Sequence, residues 1–340
     1  MRFRYPVVVA LALTAIASPT ASAAACTWTP TQLPLPAGLT QGSVRAADSL
    51  SGYAGEAQTS GGTVHAVRWV GGQVVDYGTV PGYSHAFVSG VNKSGTIVGH
   101  TSAPTGNQQR AFRSVGTALQ VLPEPAGTEH SWANGVNDAG DVVGEVGTTV
   151  VVNGSSYLVR KAVLWPASAP GTVVKLGGLP SAGQTLGQAV DQDGTVLVEY
   201  YPTTTNSIDA TALYLWKAGT ARVLPTPSGT TSVYGEAISN GRVAGAINAG
   251  GMVGAVWEQS GAITKPVASN LITSINRTGQ TTGWKIVTGL TAAHWVWQGT
   301  AKVGTITGQR TFEVSADDGT VAGYSWNSTT FTQPAFWRCA

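Results

Sequence analysis

One unit of about 45 residues is written seven times along this chain, and a period of that length restricts the fold to stacked or radially arranged supersecondary units. The core of the unit is an apolar residue, Asn or Asp, two turn residues, Gly, and a strand that closes on Gly, or on Val198 in the fourth copy. It reads AADSLSGYAG at 46–55, GVNKSGTIVG at 90–99, GVNDAGDVVG at 135–144, AVDQDGTVLV at 189–198, AISNGRVAG at 237–245, SINRTGQTTG at 274–283 and SADDGTVAG at 315–323. Two copies are irregular: unit one has Ser51 in place of the turn glycine, and unit five is one residue short. After a variable loop each core is followed by a strand ending near an aromatic residue, at Trp69, Trp165, Trp216, Trp257, Trp297 and Trp337, with Ser114 in unit two. A fourth strand follows a glycine-containing turn in most units, as in GQVVDYG at 72–78 and TARVLP at 220–225.

Four short strands per unit, with no helix-period segment between them, describe one antiparallel blade. The expected fold is therefore all-β, a seven-bladed β-propeller of four-stranded antiparallel blades. A solenoid needs capping repeats at two open ends, whereas here the termini carry a device for closing a ring. Unit seven stops after its third strand, and the segment CTWTPTQLPLP at 26–36 resembles the fourth-strand segments, down to their closing Leu-Pro. The last blade is thus expected to be closed by the N-terminal strand, which removes an exposed edge. The only two cysteines, Cys26 and Cys339, would meet where the chain break interrupts a hairpin, and a disulfide there is expected.

Arg2 and Arg4 precede a short apolar run from Val7 to Ile16, with Ala21, Ser22 and Ala23 after it, the layout of a secretory signal peptide. Residues 1–23 are read as that signal and 24–340 as a single seven-repeat domain, secreted to the extracellular space, where a disulfide persists. Lipidation at Cys26 is the rival reading, but the three alanines before it lack the aliphatic residue of a lipobox. The run is too short to cross a bilayer, so no membrane span is expected. With 11% charged residues and a net charge of +2 there is no electrostatic footprint for nucleic acid. A monomer is expected.

The repeats resemble the HAF repeat of exported bacterial proteins, in which an Asn-x-x-Gly turn and a Val-Val-Gly strand precede an Ala-Phe-Leu-Trp strand. The resemblance covers residues 41–340 in pattern rather than letter. His65-Ala66-Val67-Arg68-Trp69 and Arg110-Ala111-Phe112-Arg113 fit the named strand, but the literal triplet His85-Ala86-Phe87 falls in the strand before the turn. It implies export and a repeated β architecture and carries no established activity.

Equivalent positions of successive blades form rings, so a position polar in every copy is a candidate site. On the first strand the copies read Arg45, Ser89, Asn134, Gln188, Glu236, Thr273 and Glu313. With the first strand innermost these residues would line a central channel, and Arg45 and Glu313, on neighbouring blades, could pair. A second ring, after the closing residue of the second strand, reads Glu56, His100, Glu145, Glu199, Ala246, Trp284 and Tyr324. Carboxylates, an imidazole and aromatics at one level are the inventory of a sugar-binding or sugar-cleaving surface, although a solvated strand end would also tolerate them.

The connection between second and third strands is longer in unit three, at 147–160, and in unit four, at 201–210. Insertions collect on one face, often the binding face. The expected ligand site is thus a loop-rich rim holding Glu145, Tyr157, Glu199, Tyr201, Asn206 and Asp209.

Chemistry-bearing motifs are weak elsewhere. Asp191-Gln192-Asp193-Gly194 and Asp317-Asp318-Gly319 resemble the start of a calcium loop without its distal Glu. The five histidines show no metal-ligand spacing, and there is no nucleophile elbow. No cofactor, metal or catalytic residue is assigned. The sequence reading is a non-catalytic secreted module presenting its rim to a carbohydrate, cell-wall or cell-surface protein ligand. The alternatives are a secreted polysaccharide hydrolase or lyase using Glu145, Glu199 or Glu56, and a structural module with no small ligand.

Overall fold

A computed structural model of the chain describes residues 27–105, 108–203, 209–288, 291–306, 310–326 and 332–339, and for 288, 291, 306 and 310–313 it describes the backbone alone. The expected signal segment and Cys26 lie outside the described residues. No helix occurs among the described residues, and the strands form five four-stranded sheets and one eight-stranded sheet. Unit three shows the plan: His130–Val136, Val142–Val152, Ser155–Trp165 and Val174–Lys175 pair antiparallel in chain order. Units one and two follow the same plan and join into the eight-stranded sheet through one parallel bridge, Val64 to His85.

The N-terminal strand Trp28–Gln32 pairs antiparallel with the C-terminal strand Thr332–Cys339, setting Trp28 opposite Cys339. It becomes the fourth strand of the sheet that also contains Arg310–Ser315 and Val321–Trp326. The first strand of each unit contacts the first strand of the units before and after it, and the series returns from Arg310–Ser315 to Leu39–Ala47.

Three repeated devices explain the sequence pattern. The Asx residue closes its own turn and reaches the next one. Asn92 accepts from the Thr96 amide at 2.9 Å and donates Nδ2 to the Asn137 carbonyl at 3.0 Å, and Asn276 does the same toward Ala316. The turn glycine takes a positive φ, 83° at Gly95 and 82° at Gly194, which a side chain resists. Ser51 holds that conformation at φ 66° in unit one, with its hydroxyl donating to Asp318 of unit seven at 2.9 Å.

The second device is the tryptophan that ends the third strand. Its ring is buried, and its Nε1 donates to a carbonyl at the end of the preceding unit's fourth strand: Trp165 to Pro123 at 2.7 Å, Trp257 to Pro225 at 2.9 Å and Trp297 to Val267 at 3.0 Å. Trp69 donates in the same way to Pro34 at 2.7 Å and so binds unit one to the N-terminal strand.

The third device is a β-bulge on every first strand. The pairing register slips at Arg45, Ser89, Asn134, Gln188, Glu236, Thr273 and Glu313. Opposite it the second strand presses so close that a Cβ on Gly99 or Gly144 would lie 1.9 Å from a first-strand carbonyl oxygen. At these positions the closing glycine is a packing requirement of the bulge, whereas unit four places Val198 there opposite Gly187 of the first strand.

Candidate functional site

The bulges define the first candidate ring, because the extra residue of each is the polar one. Among those whose side chains are described, Arg45 and Glu236 are exposed and Ser89, Asn134, Gln188 and Thr273 are half-buried. In three units the bulge residue bonds to the second ring within its own sheet: Arg45 Nε to Glu56 at 3.3 Å, Asn134 Nδ2 to Glu145 at 2.7 Å and Gln188 Nε2 to Glu199 at 2.7 Å. The two rings are therefore one polar layer. Arg45 rests on Glu56, and its expected partner Glu313 has its side chain outside the described residues.

The second ring is not the open rim that the sequence suggested. Glu145 and Glu199 are both buried at 4% exposure. Glu199 accepts the Gly235 amide at 2.8 Å, Gln188 Nε2, and the Tyr201 hydroxyl at 2.8 Å. Gly235 lies beside the bulge of unit five, so this carboxylate satisfies a backbone donor at the break in the ladder. Burial raises its pKa against those hydrogen bonds.

Glu145 is held by Asn134 and lies 3.5 Å from Arg160 Nη1, whose guanidinium also sits 5.9 Å from the centre of the Trp132 ring. Burial pushes the Glu145 carboxyl up to about 7, against Arg160 and Asn134 and helped by the charge of Glu199. Burial likewise lowers His100 to about 4. Its ring stacks on Phe87 at 5.1 Å.

The structure gathers Glu145, Glu199 and Tyr201 and sets Tyr157 apart from them. The unit-three insertion is not a loop: its strands run on as a two-stranded ribbon turning at Asn153 and Gly154, with φ of 50° and 79°. These are the angles of a type I′ turn, which Asn-Gly favours. Tyr157 pairs with Val150 while Glu145 pairs with Ala162, so Tyr157 lies about 17 Å further along the ribbon at about 3.4 Å per residue. Asp209 is exposed and accepts the Tyr234 hydroxyl of the next unit at 2.7 Å. Asn206 lies outside the described residues.

At the opposite end of the strands the Asx turns of units four and five border a cavity of 830 Å³, which Arg277 and Asp317 from units six and seven also reach. Its floor is Val190, Leu215 and Ile238, and its walls carry Lys217, Arg222, Asp193 and Gln259. Lys217 pairs with Asp193 at 2.6 Å and Arg277 with Asp317 at 3.6 Å. Asp191 is buried and accepts the amides of Asn240 and Gly241 at 3.1 and 2.6 Å, which welds the two turns together below the opening.

The cavity's position coincides with the shortest copy of the repeat. Unit five turns through Asn240 and Gly241 alone, with Ser239 paired to Arg242, where other units have a longer turn. The full-length turns hand a backbone amide to the next turn, as Lys93 does to Asp138 at 2.9 Å, Asp138 to Gln192 at 2.8 Å and Arg277 to Asp317 at 2.8 Å. The truncated turn brings less chain to this ring and leaves the space open. The missing residue was visible in the sequence as the irregular fifth copy, but nothing there showed that its neighbours line a cavity.

Among the described residues no group of three His, Cys, Asp or Glu could hold a metal ion, and no helix is long and apolar enough to cross a membrane. No family model and no curated protein sequence matches the chain. Solved structures do. An oligogalacturonate lyase in complex with manganese aligns at 12% identity and TM-score 0.57, over 93% of this chain and 96% of that one. An oligogalacturonate lyase from Vibrio parahaemolyticus aligns at 9% and 0.56, over 92% and 96%. An acylaminoacyl peptidase from Pyrococcus horikoshii aligns at 11% and 0.56, over 87% of this chain and 51% of the peptidase, so this chain spans about half the length of that protein. At such identities the likeness concerns fold alone, and with the repeated four-stranded antiparallel plan of the units it makes the chain a β-propeller.

Proposed function

We propose that the chain is a secreted, seven-bladed, HAF-like propeller that binds a carbohydrate without catalysing its cleavage, and that the ligand enters the cavity between units four and five. Seven first strands in mutual contact support the blade number, and the Trp28–Gln32 strand beside Cys339 supports ring closure with a Cys26–Cys339 disulfide.

The observation that carries the non-catalytic reading is the engagement of the carboxylates. A glycosidase needs two carboxyl groups about 5 to 9.5 Å apart that face the substrate. Glu145 and Glu199 are instead buried, and Glu199 already accepts three internal donors. The cavity has the size of a small-ligand site, and its amide and paired charged side chains above an aliphatic floor suit a polyhydroxylated ligand.

An array of cell-wall and polysaccharide fragments tests this reading. Binding is expected, with loss of about tenfold or more in affinity on Arg222→Ala combined with Gln259→Ala, and without shortened products after incubation. Cleavage products that vanish in Glu145→Gln would replace the reading with an enzyme. Binding that survives the double substitution would move the site elsewhere.

A further inference from the structure

The seven copies serve as an internal control, since what the fold requires recurs and a residue out of line with its counterparts is available for something else. Three such residues meet at the seam where unit seven and the N-terminal strand pack on unit one. Tyr53 stands where the other six units have Ile97, Val142, Val196, Val243, Thr281 and Val321. Leu50 stands in the turn where they have Ser94, Ala139 or Asp193, and Phe336 where they have Arg113, Leu164 or Val256.

All three line one cavity of 480 Å³, together with Leu33, Pro34 and Trp69. The Tyr53 and Phe336 rings are stacked, 5.6 Å between centres and 20° between planes. The Tyr53 hydroxyl is 2.6 Å from Thr320 Oγ1, so its polar end is satisfied away from the stacked faces. At the lip Leu50, in its turn, is 69% exposed and Val70, the last residue of its strand, 40%, an apolar pair where unit four carries Asp193 and Lys217. One ion pair borders the pocket: Arg338 donates Nη2 to Asp318 at 3.0 Å, and its side chain is 63% exposed, with further donors of its fork available to a ligand among the described residues.

We propose that this seam cavity binds a small organic anion with a flat apolar body, the body resting on Tyr53, Phe336 and Leu50 and the carboxylate or sulfonate meeting Arg338. It is separate from the cavity between units four and five and does not depend on the carbohydrate reading.

Two dyes of nearly the same body test it on the full chain: 8-anilino-1-naphthalenesulfonate and the uncharged N-phenyl-1-naphthylamine, each titrated by fluorescence. Both are expected to bind saturably at one site. Leu50→Ser, which installs the residue of unit two, weakens both while thermal unfolding stays unchanged. Arg338→Gln weakens the sulfonate by about tenfold, the worth of a charge-assisted contact, and leaves the neutral dye unaffected, and Arg338→Lys recovers part of the loss. Absent or non-saturable binding, or wild-type affinity in Leu50→Ser, would overturn the site. Equal loss of both dyes in Arg338→Gln would overturn the anion assignment.

Discussion

Trp257→Ala lowers the unfolding free energy by about 3 to 5 kcal/mol, the range for deleting a large aromatic from a packed core. Trp257 is 1% exposed and packs among Leu224, Val233 and Ile247. The substitution empties that space and also leaves the Pro225 carbonyl without its Nε1 donor. Trp257→Phe separates the two effects, because it keeps most of the volume and loses only the hydrogen bond, worth about 1 kcal/mol. Urea unfolding followed by circular dichroism measures both variants. A loss under about 1 kcal/mol for the alanine variant would mean that the tryptophan does not tie neighbouring units together.

Glu145→Gln uncovers a rise of stability with pH in weakly acid solution, where the parent is nearly level. The folded Glu145 carboxyl titrates at about 7 against an ordinary 4.5. Between those values the folded protein holds a proton that the unfolded chain has released, so stability falls as pH rises, in total by on the order of 3 kcal/mol. Burial of His100 acts in the other direction. Its imidazole titrates at about 4 against 6.5, so across that window the unfolded chain binds the extra proton and stability rises with pH. The two slopes oppose each other from about pH 4.5 to 6.5. Removing the carboxyl leaves the His100 slope opposed only by the raised Glu199 carboxyl, so the stability of the variant should climb more steeply from about pH 4 to 6.5 than that of the parent. Denaturation midpoints at half-unit pH steps decide it, and parallel profiles for the two proteins would contradict the assignment.

The architecture was readable because each unit repeats the same local instruction. Asn92, Asn137 and Asn276 mark turns, the following glycine marks a positive φ, and Trp165 or Trp257 marks the end of a third strand. The pairing between units was harder to see. The Trp257 to Pro225 bond spans 32 residues and the Asn276 to Ala316 bond 40, and no local pattern announces either. The bulges explain why one first-strand position is polar in every copy, and why its surroundings could not be read from the sequence. A regular strand would put Asn134 and Gly135 on opposite faces, whereas the slip at Asn134 turns its amide onto Glu145 of the neighbouring strand and the Gly187 carbonyl of the next unit. Burial of Glu145 and Glu199 in the second ring depends on that same layer, which no local pattern in the sequence shows. The ribbon in unit three, by contrast, was signalled by Asn153-Gly154 between two β-branched or polar stretches, a hairpin signature that the reading as a loop passed over.

The residues common to all copies thus build the ring, and the departures from the repeat mark its openings. The most direct test is to rebuild the short turn of unit five to the length of its neighbours, replacing residues 239–241 with the Asp-Gln-Asp-Gly turn of unit four, and to titrate the carbohydrate selected on the array by calorimetry. A ring that binds through this gap loses about tenfold or more in affinity while its thermal unfolding stays close to that of the parent. Undiminished affinity in the stably folded, lengthened variant would contradict the account.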